Sequence, residues 1–232
     1  MDREETVDGA ALHVVWDWNG TLLDDAAAVI AATIAAFAEA GLPEVTEESY
    51  RRHFTRPIRL FYERLIGRSV DPDEWVRLDH AFHDRYHVLC DACSLTAGAL
   101  ESLELVRERG WTQSLCSMLP EQYLVPEVER HGIGGYFLRV DGLRGGERGG
   151  TKTRHLAGHL DRLAPRPSRA VLIGDTVDDA VAARDAGVDC ILLDGGAGLH
   201  TSGELATAGV PVVATLAQAM ALVVDERPFT TV

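Results

Sequence analysis

The chain carries, near its N-terminus, a short apolar run that ends abruptly at an aspartate. The run spans residues 12–16, and its length and β-branched content are typical of a buried parallel strand. Asp17 follows at once, and the Asn19-Gly20 pair after it is typical of a turn. Ligands of open α/β sheets bind at the carboxyl ends of the strands. Asp17 is therefore expected either to stabilise a loop or to take part in chemistry.

A second strand, far along the chain, is predicted to end in the same way. Residues 170–173 predict a buried strand that Gly174 and Asp175 follow directly, and a helix is predicted from Asp178 to Ala186. Two strand–carboxylate junctions in one chain favour a chemical role for these aspartates over a purely structural one. The sequence therefore predicts that Asp17 and Asp175 serve one site.

The order of the predicted elements indicates an α/β fold that contains a helical insertion. No strand is predicted between residues 25 and 94, where apolar spacing, capping residues and glycine stops favour helices. These helices are predicted at residues 26–40, 46–54, 58–66 and 71–89. The first of them is expected to be capped by Asp24 or Asp25.

From residue 98 onwards, strands and helices alternate, which is typical of a parallel sheet covered on both faces. Strands are predicted here at residues 111–116, 137–140, 170–173, 190–193 and 210–213. The sequence thus predicts a Rossmann-like parallel sheet core of residues 1–24 and 95–232, with an inserted all-helical cap domain of residues 25–94.

The composition argues against several classes of protein. A formal net charge of −14 repels polyphosphates, so we expect no nucleic acid and no anionic membrane surface as a partner. The longest apolar runs are about 13 residues, well below the roughly 20 that span a bilayer. Four irregularly spaced cysteines, and an acidic N-terminus without an export signal, predict a cytoplasmic protein. The sequence leaves the oligomeric state open.

The chain contains a single lysine, Lys152, among its 22 basic residues. The compact ammonium group of this residue differs from the planar guanidinium groups that the chain uses everywhere else. We therefore expect Lys152 to have a functional role, with a solvated surface lysine as the simpler alternative.

Four separate motifs resemble those of the haloacid dehalogenase superfamily, in their usual order. They are residues 17–21 with the sequence DWNGT, Ser117 after the second core strand, Lys152 at a loop-to-helix junction, and residues 174–187 with the sequence GDTVDDAVAARDAG. The helical insertion is similar to the four-helix cap of the phosphoglycolate-phosphatase type. The resemblance implies an α/β hydrolase that uses Mg²⁺ and acts on a small phosphorylated metabolite, of which a phosphoglycolate-like acid is one candidate.

The resemblance also implies a role for each matching residue. Asp17 is the expected nucleophile of an aspartyl-phosphate route, since phosphoryl transfer needs an in-line nucleophile. The expected oxygen ligands for Mg²⁺ are Asp17, the backbone carbonyl of Asn19, Asp175, and either Asp179 or Asp178. The expected phosphate-binding residues are Thr21, Ser117 and Lys152, and the lysine also offsets the negative charge of Asp17. A helix cap is the simpler role for Asp178 or Asp179.

One position departs from the pattern of the superfamily. Its phosphatases usually carry a second aspartate two residues after the nucleophile, as general acid and then general base, and this chain has Asn19 there. An amide cannot shuttle a proton, and losing acid–base help costs about 10²–10⁴ in rate. Three interpretations stay open: a slow phosphatase that acts on substrates with good leaving groups or uses another acid, a family member with different chemistry, and a catalytically impaired phosphate-binding or regulatory protein.

The junction between the second and third cap helices is the predicted specificity element. It spans residues 53–59, and in similar enzymes it faces the core site when the cap is closed. Arg56 is expected to bind a carboxylate or second phosphate of the substrate. A solvated arginine ahead of a helix is the simpler alternative.

Two further patterns are interpreted as having no separate function. A spacing compatible with zinc links His83, His87, Cys90 and Cys93. The apolar face of their helix, however, predicts that the two histidines face solvent. The glycine-rich stretch at residues 142–150 lacks the lysine and hydroxyl spacing of a nucleotide phosphate loop, so we interpret it as a lead-in to Lys152.

Overall fold

A six-stranded sheet, in which every neighbouring pair of strands is parallel, forms the centre of the protein. The computed structural model describes residues 12–144, 151–164, 167–195, 199–200 and 202–225. Its strands are β1 Leu12–Trp16, β2 Leu23–Asp24, β3 Ser94–Leu95, β4 Thr112–Pro120, β5 Val140–Leu143, β6 Arg169–Gly174, β7 Asp189–Leu193 and β8 Val212–Val213. The short strands β2 and β3 pair with each other as a separate antiparallel ribbon.

The helices fall into two groups along the chain. In the described ranges they are α1 Ala26–Glu39, α2 Glu47–His53, α3 Ile58–Ile66, α4 Pro72–Cys90, α5 Ala99–Glu108, α6 Glu121–Arg130, α7 Lys152–Asp161, α8 Val177–Ala186, α9 Ser202–Ala206 and α10 Leu216–Val224. The first four helices lie between β2 and β3, and the other six alternate with the strands of the large sheet. The parallel α/β fold with a helical insertion is thereby confirmed.

The first strand lies in the middle of the sheet, whose strand order is β5-β4-β1-β6-β7-β8. All five side chains of β1 are buried, as its apolar composition predicts. The chain adds β4 and β5 on one side of β1 and then β6, β7 and β8 on the other. The carboxyl ends of β1, β4 and β6 therefore meet where the strand order reverses, which is where α/β sheets bind ligands.

Local chemistry explains the bounds of the four inserted helices. Thr46 and Ser49 form a reciprocal capping box at the start of α2. Asp71 caps α4 by accepting a hydrogen bond from the backbone N–H of Glu74 at 2.8 Å. Gly67 ends α3 with a φ of +77°, a left-handed conformation that favours glycine. These local signals explain why the insertion was readable from the sequence.

Two predicted strands differ most from their bounds in the structure. The strand predicted to end before Ser117 continues through a register shift to Pro120, so Ser117 lies inside β4. The strand predicted at residues 137–140 is wrong, because β5 begins at Val140 and includes Gly142. A Cβ at Gly142 would lie 2.6 Å from the Cα of Glu121. The glycine that suggested a loop therefore permits close packing of β5 against the start of α6.

Two short elements were not predicted from the sequence, because they are too short to show a hydrophobic periodicity. The five-residue helix α9 and the β2–β3 ribbon are of this kind. The predicted glycine-rich stretch lies outside the described residues from position 145 to 150, and so does the acidic N-terminus. In the described part of the chain, no helix combines the length and the apolar character needed to cross a membrane.

Candidate active site

Three aspartates converge at the carboxyl edge of the sheet. Asp17 follows β1, Asp175 follows β6, and Asp179 lies in the first turn of α8. One carboxylate oxygen from each of them lies within 4.8 Å of the others. All three side chains are buried. The structure thus brings together the two strand–carboxylate junctions found in the sequence.

Backbone contacts hold these aspartates in place. The backbone N–H of Asp17 donates to the carbonyl oxygen of Ile173 at 2.9 Å, which ties the end of β1 to β6. Oδ2 of Asp179 accepts hydrogen bonds from the backbone N–H and the hydroxyl of Thr176, at 3.0 and 2.6 Å. A Cβ at Gly174 would lie 2.4 Å from Cγ of Asp179. Asp179 is therefore both part of a helix cap and a member of the buried cluster.

Lys152, the first residue of α7, lies among these acids. Its ammonium nitrogen donates to Oδ1 of Asp17 and to Oδ1 of Asp179, each at 2.5 Å. Its backbone N–H donates to Oδ2 of Asp178 at 2.8 Å, which joins the start of α7 to α8. The Lys152 side chain is 2% exposed. The single lysine of the chain is thus a buried partner of two carboxylates and not a solvated surface residue.

Burial shifts the pKa values of the clustered groups. Burial raises the pKa of Asp17 to about 6, although the charge of Lys152 opposes this rise. Burial also raises the pKa of Asp175 well above its usual range, and the charges of Asp17 and Asp179 add to the effect. Burial opposes the charged forms of Asp179 and Lys152 as well. The charges of Asp17 and Asp179 outweigh burial at Lys152 and raise its pKa, and the charge of Lys152 outweighs burial at Asp179 and lowers its pKa.

The cluster carries surplus negative charge, and one of its oxygens lacks a partner. Oδ2 of Asp175 is buried without a hydrogen bond from any described residue. Gly20, at a φ of +71°, approaches so closely that a Cβ there would lie 2.2 Å from this oxygen. Three buried carboxylates face the single ammonium group of Lys152, and hard divalent cations prefer such oxygen ligands. This donor set fits Mg²⁺.

Asn19 belongs to a hydrogen-bond network beside the cluster. Its Nδ2 donates to Oδ2 of Asp25 at 2.6 Å and to the hydroxyl oxygen of Tyr86 at 2.7 Å. The Tyr86 hydroxyl donates to the same carboxylate, and the backbone N–H of Gly20 donates to Oδ1 of Asp25 at 2.8 Å. Burial raises the pKa of Asp25. The side-chain amide nitrogen of Asn19 therefore donates to Asp25 and Tyr86. The backbone carbonyl oxygen of Asn19 takes no part in these contacts with Asp25 and Tyr86.

The prediction that Asp25 caps the first helix through its side chain is wrong. α1 begins directly after Asp25, but the carboxylate makes no cap hydrogen bond to it. The carboxylate is buried against Asn19 and Gly20 instead. Sequence reasoning missed Asp25 and Tyr86 as site residues. The acidic pair before α1 was the available signal, but such a pair is equally typical of a helix start.

A small cavity of about 30 Å³ lies beside the aspartate cluster. Its lining residues are Asp17, Asn19, Arg56, Ser117, Met118, Lys152, Asp175, Thr176, Asp178, Asp179 and Leu199. A single water needs roughly 10–15 Å³ on this measure, so the cavity has room for a few atoms. Thr21 does not line it, and the Thr21 hydroxyl is buried without a partner among the described residues. The structure therefore gathers the predicted site residues around one cavity, with Thr21 apart from it.

Ser117 lines this cavity from the central sheet, and Arg56 lines it from the inserted helices. The Ser117 hydroxyl lies on β4 and accepts a hydrogen bond from the backbone N–H of Leu119 at 3.1 Å. Arg56 lies between α2 and α3, and its Nε is 4.0 Å from Oδ2 of Asp178. The Arg56 side chain is 23% exposed. This placement contradicts the alternative of a freely solvated arginine.

A second cavity of about 120 Å³ lies under the inserted helices. It shares Asn19, Arg56, Met118 and Leu199 with the small cavity, so the two lie side by side. Its other lining residues are mostly aromatic or aliphatic: Val29, Tyr50, Phe54, Ile58, Phe61, Tyr62, Trp75, Phe82, Tyr86 and Leu119. Thr33, Asp79 and His83 add polar groups.

The predicted solvent exposure of His83 and His87 is wrong. Their rings lie against Tyr123 of α6, with centroid distances of 5.5 and 3.8 Å. Nδ1 of His83 and Nε2 of His87 are buried, because α6 covers the helix face that the apolar pattern left to solvent. Within the described ranges, the aspartate cluster is the one group of three or more metal-ligating side chains. The histidine and cysteine spacing therefore forms no zinc site.

A second buried polar network lies inside the sheet. The Ser114 hydroxyl is 2.7 Å from Nε2 of His159, and Nδ1 of His159 is 2.7 Å from Oδ2 of Asp141. His13 contacts the same hydroxyl at 2.7 Å and the Thr112 hydroxyl at 2.8 Å. None of these residues lines the two cavities described above. No sequence signal pointed to this network, because its members come from three strands and a helix.

The fold and the site together define an α/β hydrolase with a buried aspartate–lysine centre. A family model described as "Haloacid dehalogenase-like hydrolase" matches residues 14–193, a range that includes every residue of that centre. The chain belongs to this family.

Two similar proteins carry the names of phosphatases. The chain is 26% identical over 204 residues to a phosphoglycolate phosphatase from Caulobacter vibrioides, covering 86% of this chain and 85% of that protein. It is 30% identical over 175 residues to an N-acetylmuramic acid 6-phosphate phosphatase from Pseudomonas aeruginosa, covering 75% and 77%. These matches, with the family membership, make the protein a phosphatase-type hydrolase.

Solved structures share the whole architecture. A haloacid dehalogenase-like hydrolase from Streptococcus pneumoniae matches with a TM-score of 0.76 at 18% identity, covering 92% of this chain and 99% of that one. A hydrolase from Pseudomonas syringae also matches with a TM-score of 0.76 at 18% identity, covering 94% and 100%. At this level of identity, the likeness concerns the fold.

Proposed function

We propose that the protein hydrolyses a small phosphate monoester with Mg²⁺, through an aspartyl-phosphate intermediate on Asp17. The observation that carries this proposal is the buried contact between Asp17 and Lys152 at the wall of a small cavity, where Asp175 and Asp179 also converge. An in-line nucleophile and a positive charge beside it are what phosphoryl transfer requires.

The first step belongs to Asp17. One of its carboxylate oxygens attacks phosphorus, and the bond from phosphorus to the ester oxygen breaks with its electron pair leaving on that oxygen. Lys152 favours the ionised form of Asp17 that this attack needs. In the second step, water attacks the phosphorus of the aspartyl phosphate. The bond from phosphorus to the Asp17 oxygen breaks, and its electron pair restores the carboxylate of Asp17. One proton of the water passes to an oxygen of the phosphate.

The oxygen-rich cluster would hold the metal. We assign Asp17, Asp175, Asp179 and the backbone carbonyl of Asn19 as its protein ligands, supported by the unpartnered oxygen of Asp175. Bound Mg²⁺ supplies positive charge that offsets the charge on the transferring phosphoryl oxygens. The hydroxyl of Ser117 and the ammonium group of Lys152 then hold the phosphoryl group, with Arg56 at the mouth of the cavity.

Residues 25–94 act as a cap domain over a core of residues 1–24 and 95–232 in this proposal. The β2–β3 ribbon joins the two parts, and the Arg56 segment between α2 and α3 supplies the contact of the cap with the site. All four cysteines are free thiols, which supports a reducing cytoplasmic setting. The expected contact of Thr21 with the phosphate is not part of this proposal, since Thr21 lies outside the cavity lining.

A second candidate function rests on Asn19. An amide held by Asp25 and Tyr86 cannot protonate a leaving alcohol, which favours a phosphate-binding or regulatory protein with little turnover. The two candidates differ in what they predict for a substrate whose leaving group needs no proton.

Hydrolysis of p-nitrophenyl phosphate tests both. We expect turnover in Mg²⁺ and none above background in EDTA. The Asp17→Asn variant should be inactive, whereas Asp185→Asn, an exposed aspartate on α8, should match the parent. Absence of turnover in the parent, with Mg²⁺-dependent binding of inorganic phosphate retained, would support the binding protein. Equal activity of Asp17→Asn and the parent would exclude Asp17 as the nucleophile.

A further inference from the structure

The cavity under the cap lies directly beside the cavity of the aspartate cluster. Asn19 and Arg56 line both of them, and Met118 and Leu199 complete the shared wall. A phosphoryl group held by Lys152 and Ser117 would therefore have its ester oxygen near Asn19 and its leaving group in the cap cavity. The lining of that cavity then sets which leaving groups fit.

The lining of the cap cavity is aromatic. Its rings include those of Tyr50, Phe54, Phe61, Tyr62, Trp75 and Phe82. The volume is about 120 Å³. An engineered apolar cavity of roughly 150 Å³ takes up benzene, so this cavity suits a leaving group of about one ring. Apolar walls with few polar groups are typical of sites that bind apolar ligands.

The charges in the cap cavity do not suit an anionic leaving group. Asp79 contributes a carboxylate to the lining, and Nε2 of His83 lies 3.5 Å from one of its oxygens. Among the described lining residues, Arg56 is the one arginine or lysine, and it stands at the shared wall near Asp178. A carboxylate pushed past Arg56 would meet aromatic rings and the charge of Asp79, at a desolvation cost.

The chemistry of Asn19 gives an independent argument for an aromatic leaving group. Its amide nitrogen is committed to Asp25 and Tyr86, and an amide has no proton to give. A phenolic hydroxyl has a pKa of about 10, and the pKa of water or of a simple alcohol is several units higher. A phenolate therefore departs without a general acid far more readily than an alkoxide.

Building on the function proposed above, we infer that the substrate class is an aryl phosphate monoester, whose ring occupies the cap cavity. Attack by an Asp17 oxygen forms a bond to phosphorus and breaks the bond between phosphorus and the phenolic ester oxygen. The electron pair leaves with the phenolate, which takes its proton from water. No general acid is needed in this step.

Two non-hydrolysable probes test the ring cavity without any turnover. Phenylphosphonate and methylphosphonate differ in the ring alone, and their binding to the parent protein in Mg²⁺ is measured by calorimetry. We expect phenylphosphonate to bind at least about tenfold more tightly, because its ring leaves water for an apolar cavity. Equal affinities would overturn the inference, whatever the outcome of the phosphatase assay.

A matched pair of cap variants locates the ring. Ile58→Trp fills the cap cavity, and Leu60→Trp places the same side chain on an exposed position of the same helix. We expect Ile58→Trp to lower kcat/KM for phenyl phosphate at least about tenfold. The kcat/KM for acetyl phosphate should stay within about twofold of the parent value, because its leaving group is small. Leu60→Trp should change neither.

The outcomes separate the inference from the function on which it rests. Equal losses for both substrates in Ile58→Trp, or no loss for either, would place the ring elsewhere and overturn the inference. Failure of the parent to hydrolyse either phenyl phosphate or acetyl phosphate in Mg²⁺ would overturn the proposed function, and the phosphonate comparison would still decide whether the cavity holds a ring. Should Ile58→Trp fail to fold, that same comparison remains the deciding measurement.

Discussion

The aspartate–lysine cluster at the sheet edge and the Ser114–His159–Asp141 network inside the sheet are both buried, and both join a carboxylate to a basic nitrogen. The first lines a cavity, whereas the members of the second line neither cavity described here. Ser114 and His159 are 0% exposed. The two networks therefore differ in access to a ligand more than in their chemical groups.

The second network has the composition of a hydrolytic triad without its function. A hydroxyl, an imidazole and a carboxylate follow one another at 2.7 Å. The Ser114 hydroxyl is also engaged by His13, and the pKa of Asp141 is lowered below its usual range. Burial opposes this lowering, but hydrogen bonds from His159 and Arg139 outweigh it. These hydrogen bonds stabilise the core, although Oδ1 of Asp141 is buried without a hydrogen bond from any described residue. Geometry between side chains identifies a catalytic site only where a substrate can reach it.

The largest expected effect separates the two networks by activity. Asp17→Asn should lower kcat for p-nitrophenyl phosphate by about 10³-fold or more, because it removes the nucleophile. Ser114→Ala should leave kcat within about twofold, because no substrate reaches this hydroxyl. Both are measured at saturating Mg²⁺. A large loss of kcat in Ser114→Ala, with unchanged stability, would contradict the comparison.

Removing the single lysine tests how the accessible cluster is stabilised. Lys152→Met should lower the free energy of unfolding in EDTA by about 3–5 kcal/mol, because it leaves the carboxylates of Asp17 and Asp179 buried without their partner. Urea denaturation measures this loss. Adding Mg²⁺ should recover more stability in the variant than in the parent, since a cation replaces the missing positive charge. An equal Mg²⁺ effect in both proteins would contradict the replacement of the lysine charge by the cation, and no Mg²⁺ effect in either would argue against a metal in this cluster.

The enclosed network should respond to pH. Burial, with help from the nearby His159, lowers the pKa of His13 to about 4 from 6.5. Because the unfolded chain binds this proton more readily than the folded one, the contribution is present above pH 6.5 and is lost as the pH falls to about 4. The loss is about 3 kcal/mol. Urea denaturation of the parent and of His13→Gln between pH 4 and 7 measures it, and parallel pH profiles of the two proteins would refute it.

The smallest expected effect concerns the amide at position 19. Asn19→Asp alone sets two carboxylates against each other, whereas Asn19→Asp combined with Asp25→Asn keeps one amide and one carboxylate in the same contact. The double variant should raise kcat for alkyl phosphates at least about tenfold, because a carboxyl group at position 19 can protonate the leaving alcohol.

Activity on p-nitrophenyl phosphate is the control for this pair, since its leaving group needs no proton. A gain of the same size on both substrates would show that the substitution acts through something other than proton transfer. A gain in Asn19→Asp alone, equal to that of the double variant, would show that the contact with Asp25 does not matter.

Much of the fold and part of the site could be predicted. The apolar run before Asp17, the helix stop at Gly67 and the capping residue Asp71 are local signals, and the helices and central strands confirm them. Lys152 was noticeable because the chain uses no other lysine. The bounds of β5 were not predictable, because Gly142 serves a close contact with α6 that no local pattern reveals.

Asp25 shows why the rest of the site could not be predicted. Its position before a helix is typical of a cap, and only the approach of Tyr86 from α4 and of Asn19 from the loop after β1 turns its carboxylate inward. His83 and His87 were misjudged for a related reason, since helix periodicity marks an apolar face but not a neighbour such as Tyr123 that covers the polar one.

The sequence by itself determined the inserted helices and the central strands, the two carboxylates that follow strand ends, and the single lysine among the basic residues. Those features depend on residues that are close together in the chain, so the local sequence determines them. The tertiary structure decided which buried polar network meets a cavity, and that the cap cavity is lined by aromatic rings. Access and cavity shape depend on how distant segments pack, and that information is carried by no single stretch of the chain.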